Sequence, residues 1–197
     1  MEQEKPSLFE QFDETPRDPD RVTSPTGVVV RPAAMGDVHA IARISADREG
    51  EDIDKHIAGC RRELAGGEAG RRLLVLVAEL DGNVIGFGKA RYIAEKGAAG
   101  GAASPGGWYL TGVVVAPPFR RRGVGSRLTV ERLRWIAERS RCAYYFSNAE
   151  NRVSIALHDR LGFSEVARGA RLAGESFVGG EGVLFRVDLD RSPWRAP

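Results

Sequence analysis

Residues 113–125 read Val-Val-Val-Ala-Pro-Pro-Phe-Arg-Arg-Arg-Gly-Val-Gly, and this stretch decides the fold. An apolar strand run ends at a proline-marked break. A compact basic turn with two glycines follows, and a helix-forming segment, Ser126 to Arg139, starts at once. The first N–H groups of a helix have no intrahelical partner, the helix dipole adds partial positive charge there, and glycine lets the backbone come close to an anion. Strand, turn and helix N-terminus together predict an anion site. Arg120, Arg121 and Arg122 beside it make a phosphorylated ligand the natural occupant.

Two phosphate-binding motifs are excluded by the residues after the loop. A Walker loop needs Lys and then Ser or Thr after its last glycine, whereas Gly125 is followed by Ser126 and Arg127. A dinucleotide fingerprint needs a third glycine where Leu128 stands. Arg120-Arg121-Arg122-Gly123-Val124-Gly125 instead resembles the Arg/Gln-x-x-Gly-x-Gly/Ala signature of the GNAT superfamily of acyl-CoA-dependent N-acyltransferases. A second segment carries the same resemblance. Asn151-Arg-Val-Ser-Ile-Ala-Leu-His-Asp-Arg-Leu-Gly-Phe163 is similar to that family's Asn-x-x-(Ala/Ser)-x-x-Leu-Tyr-x-(Lys/Arg)-Leu-Gly-Phe helix. Asn151, Ser154 and His158 fall on one helical face, Val153, Leu157 and Leu161 form a neighbouring apolar stripe, and Gly162 is placed to cap the helix.

The remaining elements follow the same plan. Gly27 to Pro32 reads as a strand, Asp37 can cap a helix carrying Val38, Ile41 and Ile44, and Ile53, Ile57, Cys60 and Leu64 suggest a second helix. Leu73–Leu80 and Val84–Tyr92 are strands joined at Asp81-Gly82-Asn83, a hairpin signal. Strands at Trp108–Val115 and Ala143–Asn148 and closing strands near Phe163–Leu172 and Gly182–Leu189 complete the order β-α-α-β-β-β-α-β-α-β-β. Hairpins mixed with parallel crossovers predict an α/β fold with a mixed sheet. This is the family's order, and the resemblance covers residues 27–190. Residues 1–26, polar and proline-punctuated with Leu8, Phe9 and Phe12 as their apolar anchors, read as a flexible arm, and residues 191–197 as a tail. Gly97–Gly107 reads as a flexible Gly/Ala-rich insertion.

A chain of 197 residues, 42% hydrophobic, supports one core. The net charge of +2 gives no bulk drive toward nucleic acid or membrane, and no run is long enough to cross a bilayer. Cys60 and Cys142 lack paired spacing and read as reduced thiols, which suits a cytoplasmic protein. His56 and Cys60 form an i, i+4 pair without further ligands, so no metal site is expected.

The resemblance implies acetyl-CoA as co-substrate and an amine as acceptor. It implies that Val113, Val114 and Val115 lie along the acyl-pantetheine arm. The loop from Arg120, Arg121 and Arg122 through Gly123, Val124, Gly125 and Ser126 would hold the pyrophosphate, with Asn151, Ser154 and His158 lining the cofactor. The chain departs from the pattern at His158, where many members carry a Tyr that protonates the leaving thiolate. Two roles are open to it: neutral imidazole can donate one N–H, or His158 is a spectator and water supplies the proton. No carboxylate occupies the start of the arm-bearing strand, where Tyr109 stands. Other candidates for the base are Glu79, Asp47, Glu49, Glu51, Asp52 and Glu175, or water. The acidic stretch Asp47–Asp54 would suit a cationic amine. The reading is an N-acetyltransferase acting on a small-molecule primary amine, with a homodimer possible because dimers are common in the family. The alternatives are a protein N-terminal or lysine acetyltransferase, and a non-catalytic acyl-CoA sensor.

Overall fold

The computed structural model describes residues 25–49, 52–66, 72–95, 104–177 and 181–190. Most of the N-terminal arm, the C-terminal tail, Glu51 and most of the Gly/Ala-rich insertion lie outside them.

β1 (Val29–Pro32), β2 (Leu73–Leu80), β3 (Asn83–Ile93) and β4 (Gly107–Val115) form an antiparallel meander, with α1 (Val38–Glu49) and α2 (Ile53–Ala65) between its first two strands. α3 (Val124–Ala137), β5 (Cys142–Asn148) and α4 (Arg152–Asp159) follow. The chain closes with β6 (Ser164–Gly169), a two-residue hairpin of β7 (Arg171–Leu172) and β8 (Glu175–Ser176), and β9 (Gly182–Asp188). The sheet order is β1-β2-β3-β4-β5-β9-β6. Every pairing is antiparallel except β4 with β5. The mixed α/β sheet predicted from the element order is therefore present, with the β7–β8 hairpin added between the closing strands.

The β2–β3 turn is Asp81-Gly82, both at positive φ (50° and 77°), as a tight two-residue hairpin requires. β2 is buried on both faces, because helices cover each side of the sheet. On one side Val38, Ile41, Ile44 and Cys60 of α1 and α2 pack on Val75, Val77, Phe87 and Val114. On the other, Val124, Leu128, Leu133 and Ile136 of α3 pack on Leu74, Leu76, Ile85 and Leu110. Among the described residues no helix is long and apolar enough to cross a membrane.

Two local expectations change. Asp37 does not cap α1; its Oδ2 accepts the Ala34 N–H at 2.7 Å, closing a short 3-10 turn before the helix, and its carboxylate is gripped by Arg31. Of the apolar stripe, Leu161 is buried and Leu157 packs against the core, while Val153 stays half-exposed; within α4 itself the fully buried residue is His158. The polar side chain thus docks this helix together with Ile155, Leu157 and Leu161.

Candidate functional site

β4 and β5 run parallel for only two paired positions, Tyr109 with Tyr144 and Leu110 with Tyr145. Beyond Leu110 they part, leaving a fork between residues 111–115 and 146–148. The bulge that starts it is legible in the register: Lys89 pairs with Thr111 and Gly88 with Val113, so Gly112 is the extra residue, at φ 53°. Past the bulge the Ala116 N–H donates to Ile85 O, toward β3. Alternation along the strand turns the peptide groups of Val115 and Val113 the other way, into the fork. The guanidinium Nε–H of Arg120 donates to the Val115 carbonyl at 2.9 Å, which ties the following loop to this edge. Of the three valines, Val113 and Val115 present backbone to the fork, whereas the Val114 side chain belongs to the core under α1.

The fork opens onto the N-terminus of α3. Gly123 caps that helix in the left-handed region (φ 77°) with no side chain satisfying the first turn. Arg121 also has positive φ (58°), a costly conformation for a side chain of that size. Among the described residues the amides of 121–126 find no partner, and the first helical bond is Arg127 N–H to Gly123 O at 3.0 Å. These donors lie at the positive end of a fourteen-residue helix. A Cβ at Gly125 would meet only Val115 Cγ2 at 3.9 Å, so the protein itself does not demand glycine there. A pyrophosphate would fit this donor set. Arg121 and Arg122 are exposed beside it.

α4 packs over β5, where His158 stacks on Tyr145. Asn151 is its N-cap: Oδ1 accepts the Ser154 N–H at 3.2 Å, so this atom is committed to the helix. The helix ends as its Gly162 predicts, with Gly162 N–H bonded to Asp159 O and Phe163 N–H to His158 O. His158 is 2% exposed and its Nδ1 lies 2.8 Å from the Ser154 carbonyl. A carbonyl only accepts, so Nδ1 carries the proton and Nε2 is left as a bare lone pair, buried and without a partner among the described residues. Burial pushes its pKa down to about 3, partly offset by the Ser154 carbonyl and helped by the charge of Arg132. The N–H that would have served as proton donor is thus already spent.

Sequence reasoning missed two residues beside His158. Tyr145 of β5 lies face to face on the imidazole, and its hydroxyl is buried beside the Ser154 and Ser147 side chains. Burial raises its pKa, while the nearby Ser154 and Ser147 side chains pull the other way. In Ala143-Tyr-Tyr-Phe146 it reads as core, and only the register opposite Leu110 places it at the apex of the fork. Arg132 of α3 is fully buried. It donates from Nη1 to Lys89 O (2.9 Å), from Nη2 to Thr129 Oγ1 (2.8 Å) and from Nε to Leu128 O (3.1 Å). Its appearance among the core positions of α3, between Leu128 and Leu133, was the available signal.

Tyr109 sits apart. It is wholly buried on the opposite face of the sheet, stacked on Tyr144, and its hydroxyl donates to Pro105 O at 2.7 Å. Desolvation raises its pKa, so neither its proton nor its lone pairs are offered to the fork. Glu79 is held by Arg31 on β1, and the Asp52 carboxylate caps α2. Asp47 and Glu49 lie at the C-terminal end of α1, and Glu175 is exposed in the last hairpin.

Comparison with known proteins agrees with this geometry. The profile of the acetyltransferase (GNAT) family matches residues 38–163. No curated protein matches the chain. Among solved structures, ribosomal-protein-alanine N-acetyltransferase from Brucella melitensis superposes with a TM-score of 0.62 at 22% identity, covering 81% of this chain and 99% of its own. YncA of Salmonella typhimurium, solved with its cofactor acetyl-CoA, gives 0.60 at 21%, over 84% of this chain and 96% of its own. The PaiA N-acetyltransferase of Thermoplasma acidophilum, in complex with coenzyme A, gives 0.56 at 16%, over 83% and 99%. These identities show a shared fold, while the family profile spans more than half of the sequence: the chain belongs to the acetyltransferase (GNAT) family and is an acyltransferase.

Proposed function

We propose that this enzyme moves an acetyl group from acetyl-CoA to the primary amine of a small molecule by direct attack. The observation that carries the reading is the array of unpartnered amides at 121–126 at the mouth of the β4–β5 fork. Those amides, with Arg121 and Arg122, hold the pyrophosphate. The backbone of Val113 and Val115, facing the open edge, holds the acyl-pantetheine arm as a neighbouring strand would. Arg120 fixes that edge through the Val115 carbonyl rather than acting as a free phosphate ligand. Ser154 and His158 line the far wall, with Asn151 setting the helix that carries them.

The chemistry needs a neutral amine, a polarised carbonyl and a leaving thiolate that is accommodated. Backbone amides of the open β4 edge supply the second. The amine loses its proton through water, for no described carboxylate stands at the fork. A small acceptor is favoured by the last hairpin, which is held down on the sheet. Leu172 is buried against Tyr109 and Tyr144, and the Ser104 hydroxyl accepts the Ala173 N–H. A peptide acceptor would want that hairpin standing off as a groove wall. The carboxylates of Asp47, Glu49 and Asp52 at the α1–α2 junction suit a cationic amine.

Calorimetric titration with acetyl-CoA, followed by an amine panel assayed for thiol release, tests both parts. Micromolar binding and turnover of a free amine are expected. Binding without turnover of any amine would leave an acyl-CoA sensor, and turnover of peptides alone would move the acceptor to protein.

A further inference from the structure

We propose that Arg132 and Thr129 of α3 are positioning residues. A buried hydrogen-bond relay through them ties the pyrophosphate loop to the bulge at which β4 opens, and so sets the spacing between the two ends of the cofactor site. The inference rests on the reading of the fork as the acyl-CoA site. The cofactor is then divided between two elements, its pyrophosphate on the amides of 121–126 and its acyl-pantetheine arm on the backbone of Val113 and Val115. A ligand that spans both is held at both ends only if the helix and the strand edge keep one distance.

The relay runs between those ends. Thr129 Oγ1 donates to the Gly125 carbonyl, in the first turn of α3, at 2.8 Å, and accepts the Arg132 Nη2–H at 2.8 Å. Arg132 Nη1 donates to the Lys89 carbonyl on β3 at 2.9 Å. Lys89 pairs with Thr111 and Gly88 with Val113, so these two residues flank the register shift that leaves Gly112 over. The guanidinium lies against both: a Cβ on Gly88 would stand 2.9 Å from Arg132 Nε. From the other side of the sheet, Glu63 of α2 accepts from Lys89 Nζ at 2.6 Å and from Arg91 Nη2 at 2.8 Å. The part of β3 that faces the bulge is thus held from both faces.

Ordinary core packing does not ask for this pair. Thr129 is wholly buried and Arg132 is 1% exposed, on a helix whose other buried positions include Leu128, Leu133 and Ile136. A buried guanidinium bonded only to carbonyls and a hydroxyl is costly, and apolar residues of similar volume commonly serve stability as well. What the pair supplies is geometry, because a planar guanidinium fixes the direction of its bonds as well as their length.

Calorimetric titration with two ligands separates the loop from the arm. One is acetyl-CoA; the other is phosphoadenosine diphosphate, the arm-free nucleotide half of coenzyme A. Thr129→Val and Arg132→Met should keep the nucleotide affinity within about threefold and lose about tenfold in acetyl-CoA affinity. With an accepted amine, kcat should fall by up to about 100-fold in both variants, because the thioester is misplaced. Thr129→Ser keeps the hydroxyl and should bind and turn over as wild type does. Equal losses for the two ligands mark a merely structural pair and overturn the proposal, as does no loss for either. A Thr129→Ser protein as impaired as Thr129→Val overturns it too. A wild type that binds neither ligand removes the acyl-CoA reading of the fork itself.

Discussion

The imidazole of His158 lies flat on the phenol of Tyr145, ring centroids 3.7 Å apart and planes 5° from parallel. α4 is therefore attached to β5 through a polar ring as well as through the aliphatic Ile155 and Leu157. The attachment holds because Nδ1–H is satisfied within the helix by Ser154 O and the ring is met edge-on by Phe163, four residues past the end of α4. A ring so enclosed stays neutral, and that fixes both what His158 can do and how the protein responds to acid.

The response to acid has a definite sign. The folded pKa of His158 is pushed down to about 3, below its ordinary value of 6.5, chiefly by burial. Between those values the unfolded chain binds a proton that the folded chain refuses, so stability rises with pH across that window. The contribution is complete above pH 6.5 and is lost as pH falls toward 3. Urea denaturation from pH 7 to 4.5 should show wild-type stability declining, and His158→Phe should remove about one proton from that dependence. Equal slopes in the two proteins would place a protonated imidazole in the native state. The same variant also tests the chemistry: since His158 has no proton to give, His158→Phe should leave the pH profile of kcat/KM in place.

Gly123 and Gly125 answer to different forces. Gly123 takes φ 77°, so Gly123→Ala should cost about 1 kcal/mol from strain alone. Gly125 has no such demand, and an added Cβ finds its nearest neighbour at 3.9 Å. Gly125→Ala should melt within a degree or two of wild type yet weaken acetyl-CoA by tenfold or more (about 10-fold by loss of one close charge-assisted contact). Gly123→Glu and Gly125→Glu should abolish binding through like-charge repulsion. Calorimetry and thermal denaturation on the same samples separate the effects; a Gly125→Ala protein with wild-type affinity would move the pyrophosphate away from these amides.

The sequence carried much of this architecture because its strongest signals are local. Asp81-Gly82 needs positive φ at both positions, Gly162 ends a helix, and Gly123-Val124-Gly125 opens one, each for steric reasons that act within a few residues. Tyr145 and Arg132 were not legible for the opposite reason. Tyr145 matters through the register of β5 against β4, a pairing of residues 35 positions apart in sequence. Arg132 matters through Lys89 O, 43 positions away. The face that Tyr109 takes was not legible either, because it follows from the pairing of β4 with β3 and β5, which are distant in sequence.

Asn151 should act first on stability. Its Oδ1 caps α4, and α4 has only eight residues, so Asn151→Ala should destabilise by about 1 kcal/mol. Asn151→Asp keeps an acceptor at a helix N-terminus and should recover most of that loss. Thermal melts of the pair decide it. If Asn151→Ala instead melts as wild type while acetyl-CoA affinity collapses, the side chain serves the ligand and not the helix.

Gly88 and Arg132 form a tight fit that places the bulge. A Cβ at Gly88 would fall 2.9 Å from Arg132 Nε and 3.1 Å from Cζ, against a guanidinium already held by three hydrogen bonds. No carboxylate among the described residues pairs with this buried charge, and desolvation lowers its pKa to about 9. Gly88→Ala should therefore cost about 1–3 kcal/mol by overpacking. Arg132→Met removes an uncompensated charge together with one long-range bond, to Lys89 O, so the two terms oppose each other and the net change should be under about 1 kcal/mol. Combined, the substitutions should be less costly than Gly88→Ala alone, because a flexible thioether can yield to the new methyl where the tethered guanidinium cannot. Denaturant midpoints of the two single variants and the double variant test this coupling. Simple additivity would mean that the contact at Gly88 is relieved elsewhere, and that Arg132 does not hold the register at Lys89 from which the fork in β4 begins.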